Sequence, residues 1–415
     1  MFTRKCGSIA VLFFLTLHSL CGSAQKKTGE NEFDFVFRLA ERQYSDMLAI
    51  SGNLHQYPRT SNPDGSVHYD TVDDWTGGFW PGCLWNVYQF TKKEQWKKAA
   101  IRWTESLENN QYNTRHHDIG FMMYSSYGNA LKFVPEASYK KILVQSAKSL
   151  ITRYNPVVKS IKSWNYRKSW DGKTEWFFPV IIDNMMNLEL LFYASKVTGD
   201  PVYRKVAIAH AETTMKYHIR KDYSSYHVVD YDTITGKMLH QQTCQGFADN
   251  STWARGQAWG IYGFTLMYRE TKDKRYLTTA KKMADFFMNH PNLPEDKIPY
   301  WDFNVGQPGY KADWNYNPAD FKYIPRDASA AAITAAALLE MQGYLGKDGT
   351  PYKNFAIAML RSLSSPAYLA APGTNSHFLL KHSVGSIPHS SEVDVPLVYA
   401  DYYFLEALLR FKNMK

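Results

Sequence analysis

Two kinds of helical segment alternate along this chain, and no other feature limits its fold so tightly. Apolar periodicity predicts helices over residues 34–50, 77–91, 94–109, 118–131, 136–153, 183–198, 201–219, 253–271, 274–290, 326–343, 350–364 and 395–411. The odd members are amphipathic and charged, as in Glu94-Gln95-Trp96-Lys97-Lys98-Ala99-Ala100-Ile101-Arg102-Trp103 or the run from Lys274 to Phe287. The even members are nearly free of charge: Phe121-Met122-Met123-Tyr124, Leu188 to Ala194, Ala258 to Phe264, and Ala328 to Ile333. A helix apolar on every side is buried, whereas one with a single apolar stripe lies outside. Outer helices alternating with inner ones describe an all-α fold, an (α/α)6 barrel of six helical hairpins. An irregular solenoid of helix pairs gives the same alternation, and only closure of the ring separates the two. Strand signals are few and short, as at Tyr226-His227-Val228-Val229. No Pro/Gly/Ser linker or low-complexity tract divides the segments, so residues 25–415 are expected to form one domain.

In such a barrel the inner helices run the same way and their N-termini share one mouth. The unusual residues fall at or just before the even segments: Trp80, His117, Asp118, Asp183, Arg255, Trp259, Arg326, Asp327 and the loop from His382 to Glu392. Exposed N–H groups and the positive ends of helix dipoles make that mouth receptive to an anion such as a carboxylate.

Asp118, in His116-His117-Asp118-Ile119-Gly120-Phe121, and Asp183, in Ile181-Ile182-Asp183-Asn184-Met185-Met186-Asn187-Leu188, each open an inner segment. Aspartate is a favoured N-cap, so either one could be a helix start and nothing more. At one rim of one cavity the two become an acid/base pair: crowding and desolvation keep a proton on one while the other stays ionised. Glycosidases with paired carboxylates use that logic. Arg255 has small neighbours in Trp253-Ala254-Arg255-Gly256-Gln257-Ala258-Trp259; its guanidinium suits a bidentate carboxylate, or else an ion pair with a rim aspartate. His117 and His227 lack the spacing of a defined metal site. Hydrogen bonding to sugar hydroxyls or a structural role suits them better, and no metal or other cofactor is expected.

The chain carries 12 Trp, 29 Tyr and 23 Phe, and aromatic faces are what proteins stack against sugar rings. Trp80, Trp164 and Trp259 are candidates for that role or core fillers, the role assigned to Trp96 and Trp103 on an outer helix. No Gly-x-Ser-x-Gly elbow, phosphate loop or dinucleotide fingerprint is present.

The N-terminus reads as an export signal over residues 1–24. Arg4 and Lys5 precede a short apolar stretch from Ile9 to Leu20, and Gly22-Ser23-Ala24 offers a cleavage site. His18-Ser19-Leu20 is a poor match to the residues usual before a lipidated cysteine, so a soluble, periplasmic protein is expected rather than a lipoprotein. Beyond the signal only Cys83 and Cys244 remain, which excludes a disulfide-built scaffold and leaves open whether they pair. The formal charge of +9 suits anionic saccharides, although lysines such as Lys97 and Lys98 read as solvated helix faces. Without a basic arm or a zinc-finger spacing, nucleic acid is not an expected partner.

At these residues the chain resembles glycoside hydrolase family 88, the unsaturated glucuronyl hydrolases. The likeness runs from Trp75-Thr76-Gly77-Gly78-Phe79-Trp80-Pro81-Gly82 to Tyr399-Ala400-Asp401-Tyr402-Tyr403. Its most specific pieces are His117 to Phe121, Phe178 to Leu188 and Ser251 to Trp259. The resemblance implies a barrel without metal that removes the 4,5-unsaturated uronic acid left by polysaccharide lyases, through hydration of the vinyl ether. It implies Asp183 as general acid/base, Asp118 as a residue that holds hydroxyls and tunes Asp183, and His227, Gln245, Arg255 and Trp259 around the unsaturated sugar, beside which the residues themselves make His117 a further substrate-binding candidate. Trp80 and Trp164 would offer stacking faces.

Two departures qualify the likeness. Lys162-Ser163-Trp164 is followed by Lys168-Ser169-Trp170, so either tryptophan could stack. Members that accept sulfated substrates carry Ser-x-x-Ser-x-Lys; here Ser383 and Ser386 are kept and Pro388 replaces the lysine. The expected substrates are unsaturated disaccharides of glycosaminoglycan type. The alternatives are an unsaturated rhamnogalacturonyl hydrolase, a sugar epimerase on a similar barrel and a non-catalytic glycan-binding protein.

Overall fold

A computed structural model describes Met1 and residues 31–414, so the export signal read at 1–24 lies, apart from Met1, outside the described residues. The described helices are α1 Asp34–Ile50, α2 Phe79–Thr91, α3 Glu94–Glu105, α4 Ile119–Met123, α5 Ala137–Ile151, α6 Leu188–Thr198, α7 Pro201–Tyr217, α8 Ala254–Thr271, α9 Lys274–Asn289, α10 Ala328–Leu345, α11 Thr350–Leu363 and α12 Val398–Lys412.

The even helices meet in order. A π-turn continuing α4 packs on α2, α4 on α6, α6 on α8, α8 on α10, α10 on α12, and α12 returns to α2. The ring is therefore closed, a barrel rather than a solenoid. Composition explains the two layers. Along α10 nearly every residue from Ala328 to Leu339 is buried, and its alanines let α8 and α12 approach from both sides. On α9 the buried residues are Tyr276, Thr279, Ala280, Met283, Ala284 and Phe287, one stripe at helical spacing. The hairpin from α6 to α7 turns through Gly199, which takes the left-handed conformation at φ +74°; Asp200 then caps α7 through Val202 N, with Pro201 in the first turn.

Two inner segments start or run differently from the predicted helices. The helix expected over 118–131 is α-helical only to Met123 and becomes a π-turn over Tyr124–Gly128. There Ser126 Oγ donates to the Met122 carbonyl and Asn129 Nδ2 to the Ser125 carbonyl, drawing both away from the regular ladder. The segment expected to be helical from 183 begins as a 3-10 turn, Ile182–Asn187, because Asn184 donates to the Ile161 carbonyl and Asn187 accepts from Phe121 N.

Short strands gather above the N-terminal ends of the inner helices. They form the hairpin Gln56–Ser61 with Val67–Thr71, the antiparallel set Pro179–Ile181, Val228–Tyr231 and Met238–Gln242, and the hairpin Ser383–Ser386 with Ser391–Val395. Farther into the ring, Arg269 pairs with Glu189 and Glu340, and Arg410 with Glu340 and Glu406, around a second cavity of about 240 Å³. Cys83 and Cys244 are both free and buried.

The turn that carries Asp183 is wedged against α8 through glycines. A Cβ at Gly263 would lie 2.4 Å from the Met185 Cβ, closer than real Cβ atoms come. Gly263→Ala should therefore destabilise the fold by about 1–3 kcal/mol through overpacking, despite the gain in helix propensity. A thermal melt reads this as a lower midpoint; an unchanged or higher one would show that Met185 moves aside freely.

Candidate active site

A cavity of about 340 Å³ opens among the N-terminal ends of the inner helices. Asp118 precedes α4, Asp183 sits in the turn before α6, Arg255 and Tyr399 occupy the first turns of α8 and α12, and Trp75 lies in the approach to α2; all five line it. Trp164, Arg167 and Gln245 come from loops and strand edges, and Arg59, Gly385, Ser386, His389, Ser391 and Glu392 from the two hairpins and the turn between the last strands.

Neither aspartate caps its helix with its side chain. Asp118 is held instead between two imidazoles, with His116 Nδ1 3.2 Å from Oδ2 and His117 Nε2 3.2 Å from Oδ1. Burial opposes its ionisation, but the imidazoles of His117 and His116 hold its carboxyl below the usual carboxylate range. Burial also works against a charge on His116, yet its hydrogen bond to Asp118 and that residue's charge raise it. Of the two aspartates, Asp118 is the ionised one.

Asp183 is the opposite case. Burial pushes its carboxyl up to about 7 and the negative charge of Asp118 adds to the rise, while Arg255 and the Trp259 indole oppose it. Its Oδ1 is buried with no hydrogen-bond partner among the described residues. His227 Nε2 stands 3.8 Å from it. The tautomer of that histidine follows from its other nitrogen: Nδ1 accepts from Cys244 N at 3.0 Å and Gln245 N at 3.2 Å, so the proton sits on Nε2. Burial lowers the pKa of His227 well below its usual value, which leaves a neutral N–H donor beside a carboxyl poised to keep its proton.

Arg255 is 1% exposed and already engaged. It donates from Nη1 to Asp327 at 3.0 Å and to the Val384 carbonyl, and from Nη2 to the Gly385 carbonyl at 2.6 Å. Asp327 does two jobs, since its other oxygen caps α10 at Ser329 N and Ala330 N.

The remaining sequence-predicted residues divide. Trp164, Gln245 and Ser386 line the cavity. Trp80 does not: it is fully buried and packs edge-on against Tyr44 of α1 and Trp103 of α3, so it is core, and Trp75 presents the aromatic face at the mouth. His117 is likewise away from the cavity wall and acts on Asp118. Trp259 lies buried between Phe121 and Tyr403 with its influence on Asp183, outside the lining. Ser383 is buried in its strand, and only Ser386 faces the cavity; residues three apart on a strand point to opposite faces, so the two serines cannot form one grip. Trp170 donates its indole N–H to the Cys244 carbonyl at 2.9 Å and is not among the lining residues, which leaves Trp164 at the cavity.

Arg59, Arg167 and Tyr399 were missed, and Glu392 was seen only as the end of a loop at the mouth. Arg59 and Glu392 stand in two hairpins far apart in the chain, and nothing in their local sequence announces a pair joined at 2.6 and 2.9 Å. Trp75 had no local signal: Trp80 is the second residue of α2, the place that Arg255 and Tyr399 take in α8 and α12, and only its packing on Tyr44 and Trp103 turns it into the core.

An (α/α)6 barrel with one ionised and one proton-holding carboxyl at its N-terminal mouth is the architecture of an acid/base enzyme acting on sugars. Residues 50–269 match the model of Glycosyl Hydrolase Family 88. The chain is 44% identical to an unsaturated glucuronyl hydrolase of Formosa agariphila over 405 residues, 97% of this chain and 96% of that one. It is 34% identical to an unsaturated chondroitin disaccharide hydrolase of Streptococcus agalactiae serotype III, covering 92% of this chain and 91% of the relative. Among solved structures, an unsaturated glucuronyl hydrolase specific for heparin superposes with a TM-score of 0.83 at 45% identity, covering 91% of this chain and 97% of that one. The unsaturated glucuronyl hydrolase of Bacillus sp. GL1 gives 0.81 at 32% identity, covering 92% and 97%. The chain belongs to glycoside hydrolase family 88.

The raised carboxyl of Asp183 makes a stability prediction with a fixed sign. Between about pH 4 and 7 the folded protein keeps this proton and the unfolded chain does not, so the site's contribution to stability declines as pH rises through that window. A carboxamide in its place has no proton to lose. Asp183→Asn should therefore raise the melting midpoint at pH 7.5 relative to wild type, by free energy on the order of a few kcal/mol, with little difference at pH 4. An equal gain at both pH values would mean that desolvation of the charge is not its source.

Proposed function

We propose that the chain removes the 4,5-unsaturated uronic acid from the non-reducing end of lyase-generated oligosaccharides of glycosaminoglycan type, with Asp183 as the acid/base. The single observation that carries the reading is a buried carboxyl, its Oδ1 without a hydrogen-bond partner among the described residues and its pKa raised to about 7, set in a cavity with cationic side chains. The names of its relatives point the same way: one acts on chondroitin disaccharides and one solved neighbour is specific for heparin.

In this reading the neutral Asp183 gives its proton to C4 of the vinyl ether, and positive charge develops at C5 and the ring oxygen. The resulting carboxylate takes a proton from water as that water bonds to C5, so Asp183 ends as it began and one water has added across the double bond. The hemiketal at C5 then breaks its bond to the ring oxygen, giving a ketone at C5 and a hemiacetal at C1 that releases the second sugar. Asp118, ionised and oriented by its two histidines, accepts hydroxyl hydrogen bonds and sustains the high pKa of Asp183. His227 donates from Nε2, and Trp75 and Trp164 offer stacking faces. The leader-like N-terminus supports export, with a periplasmic place of action.

The test is loss of the ultraviolet absorbance of the conjugated carboxylate in chondroitin-, hyaluronan- and heparin-derived unsaturated disaccharides, with a rhamnogalacturonan-derived disaccharide as the competing substrate. Asp183→Asn should lower kcat by roughly 10²- to 10⁴-fold while disaccharide binding survives in calorimetry. Undiminished turnover in that variant removes Asp183 from the chemistry. Because the acid must hold its proton, kcat/KM of the wild type should fall as pH rises above about 7; a rate still climbing at pH 8.5 contradicts the assignment.

A further inference from the structure

The cavity is lined by three guanidinium groups that differ in what already holds them. Arg59 grips both oxygens of Glu392 through Nε and Nη2 and gives Nη1 to Asp70 and Asp74. Arg255 is tied to Asp327 and to the Val384 and Gly385 carbonyls. Arg167 pairs with no carboxylate among the described residues. One Nη1–H reaches the Cys244 sulfur at 3.4 Å, a weak acceptor, and the guanidinium carbon lies 4.7 Å from the Trp164 ring centroid. Arg167 and Lys168 form a short antiparallel pair with Glu175 and Trp176, and the acid of that pair, Glu175, is engaged by Tyr166 at 2.8 Å and Lys168 at 3.8 Å.

Stacking on an indole fixes the plane of a guanidinium while leaving its edge donors free, the arrangement that suits a two-oxygen anion. Trp164 is itself set edge-on against His227, with ring centroids 5.9 Å apart, so the stack is tied to the wall that faces Asp183. Burial lowers the pKa of His389 and the positive charge of Arg167 adds to the fall, and His389 Nδ1 lies 2.6 Å from Ser386 Oγ on the same cavity.

We infer that Arg167 is the residue through which the cavity recognises an oxyanion of its substrate, a carboxylate or a sulfate ester on the bound sugars, with Trp164 holding its guanidinium in plane. Arg255 and Arg59 serve instead to pin the hairpin that carries Gly385 and Glu392. The inference rests on the reading of this cavity as a uronate-sugar site and assigns its anion specificity.

The experiment compares wild type, Arg167→Gln and Arg167→Lys on unsaturated disaccharides with and without sulfate, reading kcat and KM separately. Arg167→Gln should raise KM by roughly 10- to 100-fold with kcat nearly unchanged, and Arg167→Lys should fall between, since it keeps the charge and loses the fork. A loss on both substrates assigns the uronate carboxylate; a loss confined to the sulfated one assigns the sulfate ester. Unchanged KM on both overturns the inference. Failure of the wider reading looks different, because wild type then turns over none of the disaccharides; calorimetric Kd values for the same disaccharides then carry the Arg167 comparison. Arg167 is exposed on a strand edge, so the variants should melt with wild type; were Arg167→Gln to misfold, the KM of Arg167→Lys decides alone.

Discussion

Desolvation of one carboxyl organises this molecule. Asp183 stands where an inner segment begins, roofed by short strands and backed by aromatic and apolar side chains, and no protein hydrogen bond compensates its Oδ1. An ionised carboxylate there would be largely stripped of water, and His227 Nε2 at 3.8 Å stands too far to hydrogen-bond it, so the proton stays to near neutrality. The closed ring makes that condition possible. Six inner helices supply a continuous dry wall beneath the mouth, and the glycines of α8 let the 3-10 turn that carries Asp183 approach closely. The irregular start before α6 is part of the same device: Asn184 and Asn187 satisfy neighbouring backbone groups rather than prolonging the helix, which leaves the adjacent aspartate aimed into the cavity.

The helical framework was legible because two periods coexist in the sequence. Charged amphipathic segments and nearly charge-free ones follow each other strictly, and burial of a helix on all sides is a property its composition announces. The predicted span 34–50 coincides with α1, and most other ends fall within two or three residues. The failures lie where side chains compete with the backbone ladder, in the π-turn after α4 and the 3-10 turn before α6; a hydrophobic period carries no trace of such competition.

The site was legible in part and for a different reason. Asp118 and Asp183 stood out as acids opening apolar helices, and a resemblance to one family placed His227, Gln245 and Arg255 beside them. Distinguishing Trp75 from Trp80 required knowing which of them packs into the core, since Trp80 opens α2 just as Arg255 opens α8. Arg59, Glu392 and Arg167 enter the cavity from hairpins and loops whose meeting is a matter of tertiary contact, and no local pattern encodes it.

The placement of cations around Asp183 then follows from electrostatics. A buried guanidinium in contact with this cavity would draw the proton off the acid if it stood alone, because attraction in a dry site is strong. Arg255 does lower the Asp183 carboxyl, yet less than burial raises it. Its pairing with Asp327 and with two carbonyl dipoles spreads and offsets that charge, so it can pin the hairpin without ionising its neighbour. A cation meant to attract substrate has to meet the opposite requirement and keep its field uncompensated. It serves best farther from the acid and nearer to water, as at the exposed edge occupied by Arg167. Local neutrality around the proton donor and uncompensated charge at the entrance are thus two halves of one constraint: the substrate must be drawn in as an anion while the acid that attacks it stays neutral.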